Sequence, residues 1–179
     1  MNIGFDLDKI FIDYPPFIPG ALIDYLYKDK SNGILRYRLP SKGEQLIRLL
    51  THISFLRPPI MTNMAMIQRE ESKNGNKFYL ISSRFSFLKQ QTEKIIEKYG
   101  FDKIFDDMFF NFADQQPHLF KSEVVRQLKL DRYIDDDLPL LLFLSKQNKK
   151  VVFYWLNNKE KKKIKDNLFA ITQLSDILS

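Results

Sequence analysis

Asn2-Ile3-Gly4-Phe5-Asp6-Leu7-Asp8 is a short apolar run that ends in acid. It reads as a buried strand carrying Asp6 and Asp8 at its C-terminal end. Two later runs finish in polar groups in the same way. Lys77-Phe78-Tyr79-Leu80-Ile81 leads into Ser82-Ser83-Arg84, and Arg132-Tyr133-Ile134 leads into Asp135-Asp136-Asp137. Met108 to Phe110 and Val151 to Trp155 are the remaining expected strands.

Helical patterns lie between these runs. Leu88, Thr92, Ile95, Ile96 and Tyr99 share one helical face, which Gly100 terminates. A helix starting near Lys121 carries Val124, Val125 and Leu128. Ser41 with Glu44 three residues on has the capping-box pattern, and Leu46, Ile47, Leu49, Leu50 and Ile53 supply an apolar stripe behind it. Arg57-Pro58-Pro59 ends that helix and starts another, with Met64 and Ile67 inward and Asn74-Gly75 as its stop. Ala21, Leu22, Tyr25 and Leu26 repeat at helical spacing after a breaker cluster of Pro15, Pro16, Pro19 and Gly20, and Asn32-Gly33 marks a turn. A short helix is expected near Ser175.

Strands alternating with helices imply an α/β protein with a parallel sheet covered on both faces, three layers in all. Ligands of such sheets bind beyond the C-terminal strand ends. Those ends are where Asp6, Asp8, Ser82, Asp135 and Asp136 fall.

The 179 residues, 44% of them hydrophobic, suffice for one core and a small appendage. There are no cysteines, which excludes disulfides and thiolate metal sites. No apolar run is long enough to span a membrane and no secretory leader is evident, so a cytoplasmic protein is expected. The net charge is +6 and the pI about 9.3. Much of that charge sits in Lys159 to Lys165, read as solvated lysines on a surface helix, with nucleic-acid contact as the sharper alternative. His52 and His118 stand in contexts that do not suggest a zinc site; His52 packs or caps on a helix and His118 follows Pro117 in a loop. Neither a Gly-x-x-x-x-Gly-Lys phosphate loop nor a Gly-x-Ser-x-Gly elbow occurs.

The polar strand ends fit the needs of phosphate-ester hydrolysis. A carboxylate nucleophile divides the reaction through an aspartyl-phosphate. A second acid protonates the leaving group and then activates water. A hydroxyl and an ammonium hold the phosphoryl oxygens, and a divalent cation offsets the repulsion between anions. Hard oxygen ligands favour magnesium (Mg2+) over zinc. Lys121, placed at a helix start, makes best sense if it meets an anion, because a cation gains nothing from the dipole there.

These residues, in this order, resemble the signature of the haloacid dehalogenase-like (HAD) hydrolases. That signature has Asp-x-Asp after the first strand (Asp6-Leu7-Asp8), a Ser or Thr after the second hydrophobic strand (Ser82), a Lys at a later helix (Lys121) and an acidic pair after the fourth strand (Asp135-Asp136). The resemblance implies a Rossmann-like fold, with Asp6 as nucleophile and metal ligand and Asp8 as general acid/base with its carbonyl on the metal. It implies Ser82 and Lys121 on the phosphoryl group, with Ser83 and Arg84 close enough to assist. Asp135 would be a metal ligand, supported by Asp136. Lys9 and Ile10 depart from the Gly and the Thr or Val usual after the second aspartate.

An insertion between the first and second motifs is, in that superfamily, a helical cap of the first (C1) type that selects substrate. The expected division is a core of 1–12 and 58–179 with a cap of 13–57, in the manner of small deoxyribonucleotidase-like members. Tyr14, Arg36, Arg38 and His52 are the candidate cap contacts. The expected function is Mg2+-dependent hydrolysis of a small phosphorylated metabolite or nucleotide. Asp8 favours phosphate chemistry over dehalogenation, because leaving-group protonation needs a second acid. The alternative is a catalytically silent relative that binds phosphorylated ligands or nucleic acid through its basic surface. Whether the chain is a monomer or a dimer is left open by the sequence.

Overall fold

The computed structural model describes residues 1–15, 28–29, 35–157 and 159–178, the side chains at 28–29, 71–74 and 178 excepted. The helix expected from Ala21 to Leu26 and the Asn32-Gly33 turn lie outside the described residues.

Seven strands form the main sheet: β1 (Asn2–Phe5), β4 (Lys77–Ser82), β5 (Asp107–Phe110), β6 (Arg132–Asp135), β7 (Val152–Leu156), β8 (Lys162–Lys165) and β9 (Leu168–Ile171). Their spatial order is β5-β4-β1-β6-β7-β9-β8. All neighbouring pairs are parallel except β8, which runs antiparallel to β9 at the edge. The sheet is therefore mixed rather than wholly parallel. Two short strands, β2 (Lys28–Asp29) and β3 (Arg36–Tyr37), pair antiparallel outside it. Among the described residues the α-helices are α1 (Lys42–Thr51), α2 (Met61–Asn74), α3 (Lys89–Tyr99), α4 (Pro117–Gln127), α5 (Leu138–Gln147) and α6 (Ser175–Leu178).

Alternation along the strands divides the core into two layers, as a pleated backbone requires. Leu80 and Ile134 face a layer that contains Met64 and Ile67 of α2 and Ile95 and Ile96 of α3. Their neighbours Ile81 and Tyr133 face the other layer, with Val124 and Val125 of α4 and Leu140, Leu141 and Leu144 of α5. Helices thus cover both faces in an α/β, Rossmann-like arrangement. The stops at Asn74-Gly75 and Gly100 take the expected form, with both glycines left-handed at φ 58° and 67°.

Four local readings are corrected. The lysine run is the edge strand β8 with a register shift between Lys163 and Lys165, not a helix. Lysines and an irregular register are how sheets keep an exposed edge from pairing with another chain. Helix α5, which Asp137 caps through the Leu140 N–H, follows from an apolar run with little periodicity and was not expected. The capping box of Ser41 and Glu44 forms, but Leu46, Ile47 and Leu50 of α1 are exposed, while Arg48 and His52 are buried. Helix α4 begins at Pro117, so His118 lies in its first turn rather than in a loop, and Lys121 lies a full turn inside.

The chain passes from β1 to β4 and β5 on one side of the sheet, then crosses back to β6 on the other. The crevice beyond β1 and β6 is the place where strand order reverses, the position at which open α/β sheets bind ligands.

Candidate active site

Asp6 follows β1 directly, and its backbone N–H donates to the Ile134 carbonyl at 2.9 Å. The chain then turns sharply. Phe11 and Ile12 donate to the Leu7 carbonyl at 3.0 and 3.2 Å, and Lys9 donates to Ile12 at 2.7 Å. Lys9 sits at φ 64°, in the left-handed region. This is the position where the resembled signature carries Gly, and a side chain there costs about 1 kcal/mol or more. The Lys9 ammonium lies 4.5 Å from the centre of the Tyr14 ring. The turn takes Asp8 off the strand, so it does not stand beside Asp6 as a strand neighbour would.

Asp6, Asp135 and Asp136 each offer a carboxylate oxygen within 4.8 Å of the others. Lys121 reaches between two of them, with Nζ 2.6 Å from Asp6 Oδ1 and 2.7 Å from Asp135 Oδ2. Asp135 is fully buried and also accepts from the Tyr133 hydroxyl and the Asp137 N–H, both at 2.9 Å. The Trp155 indole donates to the Asp136 carbonyl at 2.9 Å and fixes that turn.

The electrostatics follow from crowding. Burial raises the Asp6 pKa to about 6, although Lys121 opposes the shift. Burial, followed by Asp135 and Asp6, pushes Asp136 well above the usual carboxylate range. Burial works against the charge on Lys121, but Asp135 and Asp6 outweigh it and hold the ammonium above its ordinary pKa. Lys121 bonds two of these three clustered carboxylates, and the arginines that line the same cavity pair with Asp8 instead, so the cluster itself is short of positive charge. The oxygen donors suit a hard divalent cation such as magnesium.

Ser82 ends β4 and is 1% exposed, and neither its hydroxyl nor that of Ser83 has a hydrogen-bond partner among the described residues. Buried hydroxyls without partners cost about 1–3 kcal/mol each, so they mark a place for a ligand oxygen.

Asp6, Asp8, Ser82, Ser83, Lys121, Asp135 and Asp136 all line one cavity of about 330 Å³. Of the candidate cap contacts, Tyr14 and His52 line it as well. Arg38 instead pairs with Glu44, and Arg36 is exposed and outside the lining.

Arg84 was expected close to the site, but its pairing with Asp8 and the presence of Arg57 there were not. Arg84 forks onto Asp8, with Nε 2.9 Å from Oδ2 and Nη2 2.8 Å from Oδ1, and Arg57 Nη2 bonds Oδ1 as well. Arg84 had a local signal, its place two residues beyond Ser82. Arg57 read only as the residue before two prolines, and nothing local marks it. Tyr37 was missed too. Its hydroxyl donates to Asp137 Oδ2 at 2.7 Å, and its backbone exchanges hydrogen bonds with the Gln116 amide at 3.0 and 3.2 Å. Strand β3 is thereby docked on the residue that precedes α4.

No family model matches the chain, and no curated protein does. Solved structures do. A haloacid dehalogenase-like family hydrolase from Xanthomonas campestris is similar, with a TM-score of 0.59 at 13% identity over 99% of this chain and 92% of that one. A HAD family enzyme from Bacteroides thetaiotaomicron, an Asp-to-Ala mutant in complex with magnesium and inorganic phosphate, is similar with a TM-score of 0.53 at 14% identity, over 89% and 95% of the two chains. The architecture of this chain is the haloacid dehalogenase-like fold.

Proposed function

We propose that this chain, built on the haloacid dehalogenase-like fold, is a magnesium-dependent phosphomonoester hydrolase acting on a small phosphorylated metabolite or nucleotide. The observation that carries the reading is the convergence, in one cavity, of three close carboxylates, a bridging ammonium and two buried hydroxyls without partners. That bound magnesium and phosphate occur together in a protein of the same fold is consistent with it.

In this mechanism an Asp6 carboxylate oxygen attacks phosphorus. The bond from phosphorus to the leaving-group oxygen breaks, and Asp8 donates its proton to that oxygen. The acyl phosphate on Asp6 is then hydrolysed by a water whose proton Asp8 takes, which returns both groups to their starting state. Ser82 and Ser83 donate to phosphoryl oxygens, and Lys121 compensates charge on the nucleophile and the phosphate. Asp6, Asp135 and Asp136 would hold the cation through their side chains, with the Asp8 carbonyl as a further donor. Magnesium, when bound, supplies the positive charge that lets an anionic nucleophile approach an anionic ester. Trp155 and Tyr133 keep the acidic turn after β6 in place.

In this reading residues 13–57 serve as the cap, and Tyr14, Tyr37, His52 and Arg57 among its described residues line the cavity. The test is magnesium-dependent release of phosphate from an aryl phosphate. Wild-type protein is expected to turn over and Asp6→Asn to be inactive; equal rates for the two would end the proposal.

A further inference from the structure

Arg57 and Arg84 are two cations in the cavity that the hydrolytic mechanism leaves unused. Both are deeply buried, at 1% and 5% exposure, and both line the cavity. They converge on Asp8, so that both of its carboxylate oxygens accept from guanidiniums. Tyr14 covers Arg57, whose guanidinium carbon lies 4.8 Å from the ring centre. Arg57 Nε is buried with no hydrogen-bond partner among the described residues. Each guanidinium carries five donors in a planar fork suited to carboxylate or phosphate; Arg84 also donates to Thr92 Oγ1 at 3.2 Å, and it is Arg57 that retains an unsatisfied donor. The phosphoryl group needs neither of them, since Lys121, Ser82 and Ser83 already face it in the proposed reaction.

We infer that Arg57 and Arg84 form a second anion site, which binds a carboxylate or phosphate carried on the leaving group of the substrate. The inference rests on the phosphatase reading and names its substrate class: phosphomonoesters with two anionic groups. Asp8 occupies the site in the resting protein as an internal anion. When the substrate anion takes the guanidiniums, Asp8 is released, takes up a proton from water and faces the leaving group as the acid. Alkyl esters with neutral leaving groups, which need that proton to depart, leave Asp8 tied to the arginines and react poorly.

Binding of phosphonates, which are not hydrolysed, tests this apart from catalysis. Calorimetry in saturating magnesium would compare propylphosphonate, 3-phosphonopropionate and propane-1,3-diphosphonate. The two probes with a second anion are expected to bind at least about tenfold tighter than propylphosphonate, the gain of one charge-assisted fork. Whichever of them binds better identifies the second group as carboxylate or phosphate. Arg84→Gln and Arg57→Gln should remove the difference. Asp8→Asn should enlarge it, because the internal competitor is gone; arginines that serve only to position Asp8 would give no gain. Equal binding of all three probes by wild-type protein overturns the inference, and that comparison needs no variant to fold. If the second anion improves binding but no aryl phosphate is hydrolysed, the anion site stands and the hydrolase reading fails.

Discussion

The Lys121 ammonium stands 2.6 Å from an Asp6 carboxylate oxygen and completes a buried bridge to Asp135 at 2.7 Å. Two carboxylates converging on a buried strand edge repel each other and lose their hydration. The single cation between them is what allows the pocket to exist with charge in it.

Removing that cation should be costly. Lys121→Met leaves two buried carboxylates without compensation, and breaking a buried pair costs roughly 3–5 kcal/mol. The loss should be larger at pH 8 than at pH 5, because at the lower pH Asp6 can take a proton and relieve the repulsion. Denaturant midpoints of wild type and variant at the two pH values measure it. A loss independent of pH would show that Lys121 acts there by packing alone.

Magnesium should stabilise the protein most where Asp6 is ionised. The Asp6 pKa is raised from 3.8 to about 6, so its contribution to stability is fully present below 3.8 and is lost as pH rises through 6. The deficit above pH 6 amounts to roughly 3 kcal/mol, and a bound cation removes it by favouring the carboxylate. Magnesium is therefore expected to raise the melting temperature more at pH 8 than at pH 5. An equal rise at both would contradict the placement of the ion beside Asp6.

Asp8→Asn should lower turnover by about a hundredfold or more on alkyl phosphates that carry a second anion, the usual worth of a general acid/base. The loss should be smaller with nitrophenyl phosphate, whose leaving group departs without a proton. A loss of the same size on both substrates would assign Asp8 to binding rather than to proton transfer.

His52 gives the protein an acid-sensitive point outside the catalytic carboxylates. Burial, with the charge on Arg84 beside it, depresses its pKa from 6.5 to about 3, and its Nδ1 lies 2.8 Å from the Arg48 carbonyl. A depressed histidine contributes stability that is present above 6.5 and is lost as pH falls toward 3. The contribution amounts to roughly 3–5 kcal/mol. His52→Phe should narrow the difference in urea midpoint between pH 7 and pH 4.5. An unchanged difference would place the acid sensitivity elsewhere.

Much of this arrangement was legible because strand ends are local. Apolar runs closing in Asp6, Ser82 and Asp135 announce three strands and the edge at which they deliver side chains. Where the sequence misled, tertiary structure overrode a local pattern. Lys162 to Lys165 form an edge strand because β9 offers them a partner, which no feature of the lysine run reveals. The apolar stripe of α1 faces outward while Arg48 and His52 turn in, since the pocket side of that helix is polar. Lys121 is held by Asp6 and Asp135 at the ends of two strands rather than by a helix terminus. Arg57 and Asp8 are 49 residues apart and meet only once the chain has folded.

The central claim is that the Asp6 carboxylate becomes covalently bonded to phosphorus. Quenching the protein during turnover of an aryl phosphate, reducing with borohydride and sequencing the peptide by mass spectrometry reads this directly, because an acyl phosphate is reduced to an alcohol. The account predicts conversion of the side chain at position 6 to homoserine, dependent on magnesium and substrate. An unmodified Asp6 under steady turnover, or reduction at another carboxylate, would contradict it.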